Sequence, residues 1–205
     1  MDKKPVDLRI QKTHSALIQA LRKLLLEKRF ENITVNEICD LAMVRRATFY
    51  KHFADKYALF TFMVQSIQEE FWKQSPEADA TTGSIEPYII IMTNTVNFMD
   101  KNQALVKSAM DSNVYPILQN IVSEQIHRDI KRRFCIDKQN GKQLLLSANL
   151  MAQVYTGALM NVVRWWIRHK EQTTKEEIIS QLTILTERLY YTDNSTPQAQ
   201  HTSSH

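Results

Sequence analysis

Glycine is scarce in this sequence: three in 205 residues, at Gly83, Gly141 and Gly157. No phosphate-cradling loop or dinucleotide fingerprint can be assembled from glycines so far apart. Prolines number five, so the chain has few built-in breaks. That argues against a turn-rich β fold and favours long helices. The two cysteines, Cys39 and Cys135, form no metal-type pair. A reduced, cytoplasmic protein is the expectation. No apolar run reaches the roughly 18 residues that a membrane helix needs. The charged start "MDKKPVDLRI" leads into no apolar stretch with a cleavage site, so neither a signal peptide nor a membrane partner is expected.

Apolar residues make up 43% of the chain and charged residues 23%, the balance of a globular protein with a real core. The net charge of +4 is unevenly spread. Residues 1–60 carry twelve Lys/Arg against seven Asp/Glu, and the remainder carries fourteen against fifteen. The whole positive excess therefore lies in the first sixty residues, as expected of an N-terminal unit that meets a polyanion.

Apolar spacing sets out the helices. Ile10, Leu17, Leu21, Leu24 and Leu25 form one stripe over about 7–28, with Asp7 as its cap; Phe30 and Ile33 then pack back on it. "TVNE" at 34–37 is a capping box, in which Thr34 accepts from the amide of Glu37 and Glu37 reaches back. The short helix it opens ends near Ala42, Met43-Val44 makes a turn, and another short helix runs from about Arg45 to His52. Asp55 caps a fourth helix, to about Lys73. The polar stretch 74–84 is a loop. Further helices are expected near 85–101, 103–111, 114–134, 142–170 and 174–191, with 134–142 as a loop. Pro87 and Pro116 sit in first turns, where their missing N–H costs nothing.

Two short helices joined by a tight turn make a helix-turn-helix, whose second helix enters the DNA major groove by its N-terminal end. Here that end reads "RRAT". Arg45 and Arg46 suit guanine edges or phosphates, and Thr48 a phosphate oxygen or a thymine methyl. Tyr50, Lys51 and His52 are donors of the kind that contact phosphate, and Phe49 and Phe53, four apart, would anchor the opposite face. Thr34 and Lys56, at the starts of the second and fourth helices, would add amides and charge toward the backbone. The same spacing also fits a helix pair whose polar side is only solvated.

Residues 12–60 resemble the N-terminal domain of TetR-family transcriptional regulators. The likeness rests on "ITVNEICDLAMVRRATFYKHFADKYALF", where Thr48, Phe49, Tyr50, His52, Phe53, Lys56 and Leu59 occupy the family's positions. Two departures stand out. Met43 replaces the usual turn glycine, which implies either a turn without positive φ or a strained one. Arg45 replaces the usual serine, which removes a helix cap.

The resemblance implies an all-α protein. It would comprise a three-helix helix-turn-helix domain over 7–60, a helical effector-binding and dimerisation domain over 61–191, and a flexible tail over 192–205. It implies a homodimer in the bacterial cytoplasm on a palindromic DNA operator, acting as a repressor that a small apolar or amphipathic effector releases. The alternative is an interaction adaptor with a degenerate helix-turn-helix that binds no DNA. The C-terminal half is loosely similar to dihydroxyacetone-kinase-type regulators.

In that half, Ile178, Leu182, Leu185 and Leu189 step by four, three and four, a seam suited to helix pairing. Val162 and Trp166 are expected to join it, with Gly157 and Ala158 allowing close approach. Trp72, Tyr88, Met92, Met110, Tyr115, Met151 and Tyr155 are the candidate effector-pocket residues. No convergent set of acid, base and nucleophile stands out, and the histidines and cysteines lack ligand spacing. No catalysis, metal or cofactor is expected.

Overall fold

The computed structural model describes residues 8–74 and 84–191. Asp7, most of the 74–84 loop and the 192–205 tail therefore lie outside the described residues. Among those described, the regular structure is helical: α1 (Leu8–Glu27), α2 (Val35–Ala42), α3 (Arg46–His52), α4 (Lys56–Gln74), α5 (Glu86–Lys101), α6 (Gln103–Met110), α7 (Tyr115–Gln139), α8 (Ala148–Arg168) and α9 (Lys175–Tyr191). A single 3₁₀ turn, Phe30–Asn32, links α1 to α2. The all-α expectation holds.

By contacts the chain forms two compact units. One comprises Met1–Ser75 with Asn97–Glu124, the other Pro76–Val96 with Gln125–His205. This grouping differs from the division at residue 60 read from the sequence, because α6 packs on α1.

In the first unit, the α1 stripe buries Leu17, Leu21, Leu24 and Leu25, with Phe30, Ile33, Ile38, Phe49 and Phe60 closing around it. Eight of these nine are 2% exposed or less and large, the kind of site where truncation leaves a costly cavity. The Leu25 carbonyl accepts from Ser108 Oγ, and the Phe30 amide donates to Ser112 Oγ at 3.2 Å.

The second unit buries Tyr88, Ile126, Ile130, Phe134, Leu159, Val163, Trp166 and Ile167. The expected 134–142 loop is a correction: α7 runs on to Gln139. Phe134 and Asp137 are 1% and 5% exposed, so the extra turn is held by burial. It stops where Gly141 takes φ +89°, with Gly141 N bonded to Lys138 O and Lys142 N to Asp137 O, a glycine-terminated helix end. The eighth helix likewise starts at Ala148 rather than near 142, because Ser147 caps it by accepting from Leu150 N at 3.3 Å.

Candidate nucleic-acid interface

The α2–turn–α3 segment is built as the capping box anticipates. Thr34 Oγ1 accepts from Glu37 N at 3.2 Å, and Glu37 Oε2 accepts from Thr34 N at 2.8 Å. Glu37 is also bonded to the Lys28 ammonium. That pairing first, and then the Thr34 amide and hydroxyl, holds its carboxyl down at about 2. Lys28 was not singled out in the sequence; it lies nine residues away, beyond the reach of a same-helix pattern.

Met43 settles the question raised by the missing glycine. It ends α2 in the left-handed region, at φ 53° and ψ 39°, and is 93% exposed. The positive φ is therefore kept and borne by a residue with a Cβ, a conformation that costs on the order of 1–2 kcal/mol. Among the described non-glycine residues, Met43 is the one with positive φ. The turn is closed by Val44 N to Cys39 O at 2.9 Å.

Arg45 stands at the N-cap of α3 and makes no side-chain cap bond. Phe49, 0% exposed, and Phe53, 6%, fasten α3 to the core, their ring centroids 5.8 Å apart. On the opposite side Arg45, Arg46, Tyr50 and Lys51 are all exposed. The Arg46 guanidinium lies 6.0 Å from the Tyr50 ring centroid, one turn along. Thr48 and His52 are half-buried. His52 meets His14 of α1 edge to face at 4.9 Å. His14 also touches Phe53 and Phe62, its buried Nε2 has no partner, and burial first, then His52, lowers its pKa.

Lys56 stands apart from this exposed set. Its ammonium donates to the carbonyls of Phe30 (3.0 Å), Glu31 (3.0 Å) and Ile33 (2.7 Å).

The pocket expectation divides. In the second unit Tyr88, Met92 and Tyr155 line a cleft with Ile130, Leu182 and Thr186, about 410 Å³ of unfilled space counted out to the solvent. Met151 is buried but does not line it, and Trp72, Met110 and Tyr115 belong to the other unit. No carboxylate, imidazole, ammonium or guanidinium lines the cleft. The Tyr88 hydroxyl is taken by Asp137 and that of Thr186 by Leu182 O, at 2.7 and 2.8 Å. Burial, then Tyr190, pushes the Tyr155 phenol up to about 12, so it stays protonated.

The α9 seam needs correction. Ile178, Leu182 and Trp166 are 3%, 5% and 1% exposed within the protomer, and Trp166 Nε1 donates to Thr173 O. They face their own core and are not available to a partner. Val162 is half-buried, Leu185 is exposed at the rim of the cleft, and the Leu189 side chain lies outside the described residues. An exposed apolar stripe runs along α8 instead: Leu150, Val154 and Trp165, 48%, 47% and 44% exposed, with Gly157 on the same side. A Cβ built on Gly157 meets nothing within 4 Å beyond its own stretch of helix.

Comparisons with known proteins agree along most of the chain. The family described as "Bacterial regulatory proteins, tetR family" matches residues 17–61, and "Transcriptional regulator C-terminal region" matches residues 89–188. The uncharacterized HTH-type transcriptional regulator YdeS of Bacillus subtilis (strain 168) is 32% identical over 94 residues, 46% of each chain. The matched part thus spans under half the length of that curated relative. Among solved structures, a TetR-family regulator from Syntrophomonas wolfei superposes with TM-score 0.70 at 16% identity, covering 88% of this chain and 95% of its own. The dihydroxyacetone kinase operon activator DhaS gives TM-score 0.57 at 15% identity over 85% and 94%. At such identities these two structures speak for the fold alone. With one family description matching its helix-turn-helix and another its C-terminal helices, the chain belongs to the TetR family of transcriptional regulators.

Proposed function

We propose that the chain is a cytoplasmic, DNA-binding regulator that grips a palindromic operator as a homodimer and releases it when a small molecule binds the C-terminal helices. The observation that carries this reading is the two-sidedness of α3. Phe49 and Phe53 are sunk in the core while Arg45, Arg46, Tyr50 and Lys51 are exposed to solvent. Arg46 would read base edges bidentately, and Tyr50, Lys51 and the exposed Thr34 would hold phosphates. Thr48 and His52, half-buried, would contact the backbone at the rim. Met43 favours DNA binding over the adaptor reading, because the turn keeps its left-handed geometry without its glycine.

Dimerisation is supported by the α8 stripe. A gap at Gly157 that nothing in the protomer fills suits the close approach of a second α8, and one α3 per half-site would then meet one turn of DNA. The effector reading is supported by the cleft of Tyr88, Met92 and Tyr155, which suits an uncharged, largely apolar molecule hydrogen-bonded by one phenol. Its binding would favour a state with lower operator affinity, by linkage.

Selecting duplexes from a random pool with purified protein tests the reading. Recovery of an inverted repeat supports it; recovery of unrelated sequences no better than the input removes sequence-specific binding.

A further inference from the structure

Lys56 joins the two ends of the helix-turn-helix. It opens α4, and only residues 53–55 separate it from the end of α3. The carbonyls it binds belong to Phe30, Glu31 and Ile33, and Ile33 immediately precedes the α2 cap, Thr34. An ammonium has three donors and no acceptor, so three carbonyls satisfy it completely. Rings flank it as well: its nitrogen lies 4.8 Å from the Phe30 centroid and 5.8 Å from that of Tyr57. One side chain thus closes residues 34–55 into a loop.

The same knot is held from the α6–α7 turn. Phe30 N donates to Ser112 Oγ, the Asn113 amide donates to the Glu31 carboxylate, and Asn113 Nδ2 donates to Tyr57 Oη at 3.0 Å. A lysine at a helix N-terminus is disfavoured by the helix dipole. The carbonyls at the end of the 3₁₀ turn supply the compensating negative charge.

We propose that Lys56 is a positioning residue, which sets α3 by tying the start of α4 to the approach to α2, and that it makes no phosphate contact. The inference rests on the DNA-binding reading above. Binding a phosphate would require giving up at least one of three bonds already made within the protein. A guanidinium is planar and cannot reproduce three donors diverging from one nitrogen, so charge alone does not restore the knot.

The test compares Lys56→Met, Lys56→Arg and Lys51→Met by anisotropy on a fluorescein-labelled random-sequence duplex across a salt series, below the melting temperature of each variant. A phosphate contact appears as a lost increment in the slope of log affinity on log salt, about one per subunit. Lys51→Met should lose that increment. Lys56→Met should weaken binding at least about tenfold with the slope intact, and Lys56→Arg should be no better. Hydrogen exchange on the protein alone should show α2 and α3 amides exchanging at least about tenfold faster in Lys56→Met, with α8 unchanged. A reduced slope in Lys56→Met, full affinity in Lys56→Arg, or unchanged exchange in α2 and α3 overturns the proposal. Wild-type protein that binds no duplex would remove the DNA-binding reading, and the exchange arm would still decide the role of Lys56.

Discussion

The Tyr88 hydroxyl donates to the Asp137 carboxylate at 2.7 Å, and both groups are buried, 3% and 5% exposed. Tyr190 reaches the same oxygen from 3.4 Å. Burial and then this bond drive the Tyr88 phenol far above its usual range, so it donates at any ordinary pH. Removing it leaves a buried acid with one long hydrogen bond. Tyr88→Phe should therefore destabilise the protein by about 1–3 kcal/mol, although it deletes one atom. Urea denaturation checks this; an unchanged midpoint would mean that Asp137 finds water instead.

Met43→Gly should stabilise. The substitution relieves a left-handed residue at φ 53° whose side chain, 93% exposed, packs on nothing. Gly gives back part of the gain through a freer unfolded chain, leaving about 0.5–1 kcal/mol, or ~1–4 °C in melting temperature. Met43→Val, β-branched at positive φ, should move it the other way. The pair is read by calorimetry.

Acid should loosen the first unit in two stages. His14 has its pKa lowered below 6.5, first by burial and then by His52. The unfolded chain thus takes up its proton first, and stability falls as pH drops below that value. Glu37 titrates at about 2 when folded against 4.5 unfolded, so its contribution is whole above 4.5 and lost between there and 2. Urea midpoints should decline as the pH falls below 6.5 and decline again below 4.5. His14→Gln should flatten the first decline and Glu37→Gln the second.

If the proposed homodimer forms through the α8 stripe, Gly157→Leu should split it without harming the protomer. Its Cβ would meet no atom within 4 Å beyond its own stretch of helix, and a leucine is the better helix former by somewhat less than about 1 kcal/mol. Sedimentation should show the variant as a single subunit with undiminished thermal stability. A variant that remains dimeric would place the interface elsewhere than the α8 stripe.

The N-terminal elements were legible because their signals are local. Thr34 and Glu37 are three residues apart, Asp55 caps by accepting from Ala58 N at 2.8 Å, and Phe49 and Phe53 share a face one turn apart. Spacing in sequence determined spacing in space. What stayed hidden depended on distance along the chain. Ile178 and Leu182 look the same on paper whether they face a partner or their own core, and Trp166 is turned inward by a bond to Thr173 O that no periodicity reveals. The last turn of α7 was missed because a segment ending in "KQNGK" reads as loop, while Phe134 and Asp137 are held by tertiary partners 21 to 53 residues away. Lys56 was legible as a family position and not as a donor to carbonyls 23 to 26 residues earlier.

The central claim is that the exposed side of α3 reads DNA. Its most direct measurement is binding to the selected duplex by wild type, Arg46→Ala and Tyr50→Phe, at several salt concentrations. The account predicts a steep fall in wild-type affinity with salt. It further predicts that Arg46→Ala loses preference at one base step per half-site, at a cost of about 1–3 kcal/mol, whereas Tyr50→Phe weakens all sequences alike. Three proteins with the same affinity and the same sequence preference would contradict it.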